Sequence, residues 1–121
     1  MKKLLLLHFV CLLLLVVLNS SCSKKIIKQS SDVPSCINTQ IAQWHSAGLG
    51  TCESGNAVKQ YTFQNKTVYV FEPGNCGSDM ATLVYDSDCK QLGFLGGIVG
   101  NTKINDEEFA NAVFVKTVWS N

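Results

Sequence analysis

The sequence predicts an α+β fold: a small antiparallel β-sheet, made of a hairpin plus two or three further strands, with one N-terminal helix and a short C-terminal helix, stapled by disulfides. Three observations carry this prediction. Residues 34–45 have apolar side chains at helical spacing, later segments alternate aromatic and β-branched residues between turn signals, and the cysteine count after residue 32 is even. A chain of 121 residues accommodates one such domain, which we place at residues 32–121.

The first 21 residues predict a signal peptide rather than part of the fold. Lys2 and Lys3 precede an almost unbroken apolar run over residues 4–18. A helix of fifteen residues reaches about 22 Å, short of a hydrocarbon core of about 30 Å. A secretory signal, residues 1–21, is therefore favoured over a permanent transmembrane helix.

The residues after the apolar run resemble a bacterial lipobox, in which small residues precede a cysteine. Asn19-Ser20-Ser21 stands directly before Cys22, with Asn19 where leucine is usual. On this interpretation Cys22 becomes the lipidated N-terminus, and the protein is exported and lipid-anchored to a membrane of the cell envelope, facing the periplasm or the surface. Ordinary signal cleavage after Ser21 or Ser23 is the alternative.

Charge separates a basic tether from an acidic domain. Residues 22–31 carry three lysines and few apolar side chains, so we expect them to form a flexible tether. From Asp32 onward, five lysines stand against nine acidic residues, a balance of about −4, and the chain has no arginine. Nucleic-acid and phosphate recognition usually employs arginine forks, so no nucleic-acid partner is expected.

Each secondary-structure element has a local reason. The N-terminal helix, residues 34–45, has Asp32 or Ser35 as a candidate N-cap, glycines beyond its end, and one apolar face: Ile37, Ile41 and Trp44. Residues 57–63 and 66–72 predict a hairpin around Gln64-Asn65.

The geometry of that hairpin follows from its turn residues. A two-residue turn would require a positive φ at Gln64, which is unfavourable. We therefore expect a three-residue loop that ends with Asn65 in the left-handed region. This loop would place Tyr61, Tyr69 and Phe71 on one face of the hairpin.

The second half of the chain predicts further strands and a short helix. Residues 82–86 and 90–95 are typical of strands, joined by a turn at Asp86-Ser87-Asp88. Residues 105–108 place acidic side chains where a short helix would begin, and residues 112–119 predict a final strand.

Four cysteines remain once Cys11 leaves with the signal and Cys22 is assigned to lipid. Zinc binding is disfavoured, because there is no CxxC pair and the mature chain has a single histidine. Export favours two disulfides, with three possible connectivities. A helix of about 15 Å separates the first two cysteines and a strand of about 17 Å the last two. We therefore predict the pairs Cys52–Cys76, at the open end of the hairpin, and Cys36–Cys89, between helix and sheet.

The sequence offers no catalytic, cofactor or metal site. His45 is the only histidine after the signal and follows Trp44 at a helix end, which is typical of a structural role. Asp79, Asp86 and Asp88 lack the spacing of a calcium loop and are better explained as turn residues. The glycines between residues 93 and 100 match no phosphate-loop motif.

Several segments together carry a resemblance to a known family. They are Pro34-Ser35-Cys36-Ile37, Lys66 to Pro73 followed by Cys76, Tyr85-Asp86-Ser87-Asp88-Cys89, and Gly96-Gly97-Ile98. Over about residues 34–100 the chain resembles a family of small lipoproteins of Bacteroidota-type bacteria, known only as a domain of unknown function. This resemblance implies export, lipidation and a small α+β domain, and no activity.

The functional expectation is a non-enzymatic binding module of the cell envelope, without a cofactor. Its expected partners are the membrane, through the lipid anchor, and another protein of the envelope. The alternative is an inhibitor of a lysozyme or protease that inserts a rigid loop, for which Pro73 to Asp79 is the best segment. An apolar pocket would favour binding, a protruding loop would favour inhibition, and a convergence of Asp79, Asp86 and His45 would indicate an enzyme.

Overall fold

The structure, a computed structural model, describes residues 31–48, 52, 54–75, 77 and 79–121. The signal peptide, Cys22 and all of the tether but Ser31 lie outside the described residues, so these assignments remain predictions. Within the described part of the chain, no helix is long and apolar enough to cross a membrane.

One α-helix packs on a five-stranded antiparallel sheet. The elements are α1 Ser35–Ser46, β1 Ala57–Phe63, β2 Lys66–Glu72, β3 Ala81–Asp86, β4 Gln91–Gly96, β5 Lys103–Ile104, β6 Glu107–Glu108, a 3₁₀ helix Phe109–Asn111, and β7 Val113–Ser120. The strand order of the main sheet is β4-β3-β2-β1-β7, and β5 and β6 form a separate two-stranded ribbon. The predicted α+β class with its antiparallel sheet is therefore present, and the differences concern details.

The main sheet has two ends, which we call the hairpin end and the loop end. The hairpin end carries the turn between β1 and β2 and the turn between β3 and β4. The loop end carries the connection from β2 to β3 and the loop after β4, because Ala57 pairs with Glu72 and Ala81 pairs with Gly96 there.

The first core lies between α1 and one face of the sheet. The predicted apolar stripe of the helix, Ile37, Ile41 and Trp44, is buried against side chains of β1 and β2: Val58, Tyr69 and Phe71. The expected N-cap is wrong, because Pro34 occupies that position in an extended conformation and no side chain caps the helix. Asp32 instead forms an ion pair with Lys116 of β7.

The second core lies on the opposite face of the sheet, where residues 101–112 fold back over the strands. Ile104 and Phe109 from this segment cover apolar side chains of β1, β2 and β3: Phe63, Val68, Val70 and Val84. Burial on both faces explains why β2 is an almost continuous apolar run instead of a strict alternation.

The prediction of a three-residue hairpin loop is wrong. Phe63 pairs with Lys66, so the turn has two residues, Gln64 with φ 50° and Asn65 with φ 60°. The Gln64 side chain offsets the strain, because its Nε2 donates to Glu107 Oε2 at 3.0 Å and its Oε1 accepts from Asn105 Nδ2 at 3.3 Å. Tyr61 consequently faces the second core, away from Tyr69 and Phe71.

The prediction that a short helix begins at residues 105–108 is also wrong in its start. Asn105 and Asp106 adopt positive φ values of 49° and 64° and form the turn between β5 and β6. Asparagine and aspartate tolerate this region better than most residues, and such a turn suits the twist of a hairpin. The only helical residues that the structure describes near the C-terminus are those of the 3₁₀ helix that begins at Phe109.

A disulfide between Cys36 and Cys89 fastens the start of α1 to the turn between β3 and β4, with Cα atoms 6.1 Å apart. Cys52 is buried and also disulfide-bonded. The predicted Cys52–Cys76 pair remains a prediction, because Cys76 lies outside the described residues.

Candidate functional site

The helix covers only part of its face of the sheet. Trp44 packs edge-on against Phe71 of β2, with ring centroids 5.5 Å apart, and against Trp119 of β7 at 5.8 Å. These contacts hold α1 above the β2–β1–β7 side. Leu83 of β3 remains half-buried, and Phe94 of β4 remains 41 % exposed.

A pocket of about 270 Å³ opens where the helix leaves the sheet uncovered. One wall consists of Gln40, Gln43 and Trp44 of α1 with the C-cap residue Ala47, and the sheet contributes Phe71, Leu83 and Tyr85. The Phe71 and Tyr85 rings pack edge-to-face, with their centroids 5.1 Å apart. The surface that a ligand would meet is therefore mostly aromatic and aliphatic, with amide groups along one side.

Gln40 supplies a polar atom without a partner beside this apolar surface. Its Nε2 donates to the carbonyl oxygen of Cys89 at 3.3 Å, which fixes the amide. Its Oε1 is buried and accepts no hydrogen bond from any described residue. Since a buried acceptor without a donor costs about 1–3 kcal/mol, this atom favours a ligand that donates a hydrogen bond.

Tyr85 supplies a second polar group. Burial raises the pKa of its hydroxyl above the ordinary value for tyrosine. The phenol is therefore neutral across the physiological pH range. It can donate or accept a hydrogen bond.

The volume of the pocket limits what it can hold. Sites for drug-sized ligands usually enclose about 300–1,000 Å³. A pocket just below this range accepts one ring or one short aliphatic group, and it is too small for a dinucleotide or a haem. Its described lining consists of aromatic, aliphatic and amide side chains, which suit an uncharged group.

The residues that would indicate an enzyme do not come together. The His45 ring packs 5.5 Å from Trp119, at the β7 side of the sheet. Asp79 precedes β3 and Asp86 ends it, so that strand, about 20 Å long, separates them. Asp86 Oδ1 accepts hydrogen bonds from the backbone N–H groups of Asp88 and Lys90, which is a turn role.

Metal chemistry has no support within the residues that the structure describes. No group of three histidine, cysteine, aspartate or glutamate side chains lies close enough there to hold an ion. The pocket beside α1 is a candidate site formed by described residues.

The sequence placed Trp44 on the apolar face of the helix and Phe71 on one face of the hairpin, but it did not predict the pocket. The missed lining residues are Gln40, Gln43, Ala47 and Leu83. Gln40 and Gln43 of α1 and Ala47, the residue that caps its C-terminus, stand at spacings of three and four residues, directly beside the apolar stripe. This spacing shows that they share one helix face, but it does not show that the face borders an open space.

Comparison with known proteins identifies a family for the part of the chain that forms the sheet. Residues 50–121 match the family model described as Domain of unknown function (DUF6970). The chain belongs to the DUF6970 family. No curated protein and no solved structure matches it.

The residues matched by the family model include one wall of the pocket but not the other. The DUF6970 match includes β1 to β7, and so the Phe71, Leu83 and Tyr85 wall, whereas α1 precedes it. The resemblance carried by the sequence motifs, over about residues 34–100, extends further towards the N-terminus and stops before β7. The pocket thus joins a wall from the DUF6970 domain to a helix outside the matched range.

Proposed function

We propose that this protein is an exported, lipid-anchored, non-enzymatic binding module of the cell envelope. The observation that carries the proposal is the pocket between α1 and β3. It combines aromatic and aliphatic walls with the unpartnered Gln40 Oε1.

The pocket chemistry defines the ligand class. Edge-to-face contacts among Trp44, Phe71 and Tyr85 provide an aromatic surface on which a further ring or aliphatic group can pack. The ligand group is therefore uncharged, no larger than about one ring, and carries one hydrogen-bond donor for Gln40 Oε1. A single side chain of a partner protein and a free small molecule share this chemistry.

Filling the pocket from the helix side is expected to abolish binding of a small aromatic probe. Phenol, titrated into the protein and followed by NMR, should shift the Leu83 methyl signals and the Gln40 side-chain amide signal. In Ala47→Trp, the indole occupies the pocket, and the phenol affinity should fall about tenfold or more.

The matched control is Ala42→Trp, on the same helix but away from the pocket lining and exposed to solvent. This variant should bind phenol as the wild type does. Equal phenol affinities in Ala47→Trp and Ala42→Trp, or no shifts at Leu83 in the wild type, would show that the pocket is not a binding site.

The anchor is tested separately, through Cys22. Cys22→Ala should move the protein from the membrane fraction to the soluble fraction of the envelope, because Cys22 is the residue proposed to carry the acyl chains. Substituting Ser23 by alanine should leave the protein in the membrane fraction. Retention of Cys22→Ala in the membrane would contradict lipid anchoring.

The inhibitor alternative has weaker support. It requires residues 73–79 to project, yet the backbone N–H of Asn75 donates to the carbonyl oxygen of Ser54 at 3.2 Å, and Gly74 packs against Asn56. Cys76 and Ser78 lie outside the described residues.

A further inference from the structure

A second apolar feature stands at the loop end of the sheet, apart from the lining of the pocket. Ile98 and Val99, here called the apolar tip, lie in the loop between β4 and β5 and are 87 % and 77 % exposed. No charged residue occurs between Lys90 and Lys103. These two adjacent aliphatic side chains, in an uncharged stretch, are free to contact an apolar environment outside the protein.

Hydrogen bonds brace the loop that carries the tip. Gly96 and Asn101 exchange backbone hydrogen bonds of 2.8 and 3.0 Å across its base, and the Gly100 N–H donates to Gly97 O at 3.0 Å. The Gly97 N–H donates to Met80 O at 3.2 Å, which ties the loop to the start of β3. These bonds hold the backbone on both sides of Ile98 and Val99 in a fixed conformation.

Side-chain bonds strengthen this base. Asn101 Nδ2 donates to the carbonyl oxygens of Phe94, at 2.6 Å, and Lys103, at 2.9 Å. Its Oδ1 accepts from the Lys103 N–H at 3.3 Å. The two aliphatic side chains are thus presented on a scaffold that loses little conformational freedom when they are buried.

Acidic residues concentrate at the opposite end of the sheet. Asp86 and Asp88 lie in the turn after β3, and Glu107 bonds to Gln64 in the turn between β1 and β2. At the loop end, Glu72 is paired with Lys59 at 2.6 Å, which leaves Asp79 as the unpaired acid described there. Lys66 and Lys90 lie at the hairpin end as well, so the net charge of the two ends differs little and does not decide which end faces an anionic membrane.

The size of the tip decides between a lipid and a protein partner. A stable protein interface buries about 800 Å² on each partner, far more than two aliphatic side chains provide. A bilayer requires only that the side chains reach the boundary between headgroups and acyl chains. The tip therefore fits a lipid surface better than a protein surface.

We propose that Ile98 and Val99 insert into the lipid bilayer to which the chain is anchored. The proposal rests on the lipid anchor at Cys22, and the tether permits both contacts. Residues 22–31 span up to about 35 Å when extended, whereas a strand of six to eight residues spans about 20–27 Å. Insertion holds the domain with its loop end on the membrane.

A tryptophan introduced into the apolar tip is expected to report how deeply the tip enters the bilayer. The full-chain protein, isolated from expressing bacteria, is mixed with phosphatidylcholine–phosphatidylglycerol vesicles that carry brominated acyl chains. In Ile98→Trp, the emission added to that of Trp44 and Trp119 should shift to shorter wavelength and be largely lost to bromine quenching. The exposure of Ile98 means that this variant should unfold at the wild-type temperature.

The matched control is Val113→Trp, at a valine 65 % exposed on β7 at the hairpin end. Its added emission should not be quenched. Equal quenching in the two variants, or none in Ile98→Trp, overturns tip insertion. The Cys22→Ala fractionation separates the two proposals: release of that variant together with an unquenched Ile98→Trp preserves the anchor and rejects insertion alone.

Discussion

Replacing Cys36 and Cys89 by serine is expected to lower the free energy of unfolding by about 4 kcal/mol. The disulfide joins residues 53 positions apart, so its loss restores a large loop entropy to the unfolded chain. A domain of this size buries a limited core, and a loss of this magnitude is a large part of its stability. Urea unfolding, followed by tryptophan fluorescence, measures it.

The double substitution of Cys36 and Cys89 should also affect ligand binding in the pocket. The carbonyl oxygen of Cys89 accepts the hydrogen bond that fixes the Gln40 amide, so phenol binding should weaken along with stability. Val113→Ser, at an exposed valine away from both cores, should change the free energy of unfolding by less than about 0.5 kcal/mol. A loss below about 1 kcal/mol in the double-serine variant would show that the disulfide does not restrain the fold.

Gly74→Ala is the second substitution with a large expected effect, a loss of about 2–4 kcal/mol in the free energy of unfolding. Gly74 has a φ of +79°, where an alanine is strained. A Cβ there would lie 2.4 Å from Asn56 Oδ1 and 2.5 Å from the Ser54 carbonyl oxygen. Asn56 is 1 % exposed and its side-chain amide donates to the Cys52 carbonyl oxygen, so it has little room to move.

Gly100→Ala separates the two contributions to this cost. Gly100 has a φ of +61°, and no described atom lies within 4 Å of the position that a Cβ would take. Its replacement should cost only the backbone strain, about 1–2 kcal/mol. Thermal unfolding of the two variants measures the difference. A Gly74→Ala protein as stable as Gly100→Ala would mean that the contact with Asn56 is not tight.

The elements of the fold could be predicted because their signals are local. The stripe of Ile37, Ile41 and Trp44 marks α1, and alternating β-branched and aromatic residues mark β1 and β2. The turn at Gln64 could not be predicted, because its positive φ is offset by bonds to Asn105 and Glu107, more than forty residues away. A local rule ranks Gln64 as unfavourable there and has no access to those partners.

The predicted face of Tyr61 is wrong because of the same turn. Since side chains alternate along a strand, a turn shorter by one residue moves Tyr61 to the other side relative to Tyr69 and Phe71. The second core, under residues 101–112, could not be predicted from local sequence rules for a related reason. Asn105 and Asp106 suit the start of a helix by residue type, although they form a tight turn.

The pocket could not be predicted from the sequence because it is a space between elements. Its existence depends on where α1 lies across the sheet, and that position is set by Trp44 against Trp119 and by the Cys36–Cys89 bond. Local periodicity identifies the buried face of the helix but not its lateral position. Gln40 and Leu83 therefore look like ordinary boundary residues until the structure brings them together.

The central claim, that the pocket beside α1 receives an uncharged ring, is tested most directly by intermolecular nuclear Overhauser effects in the wild-type protein with phenol. The structure predicts contacts from the phenol ring to the Gln40 side-chain amide, to the Leu83 methyl groups and to the Tyr85 ring. Contacts confined to Ile98 and Val99, with none to these pocket residues, would contradict it.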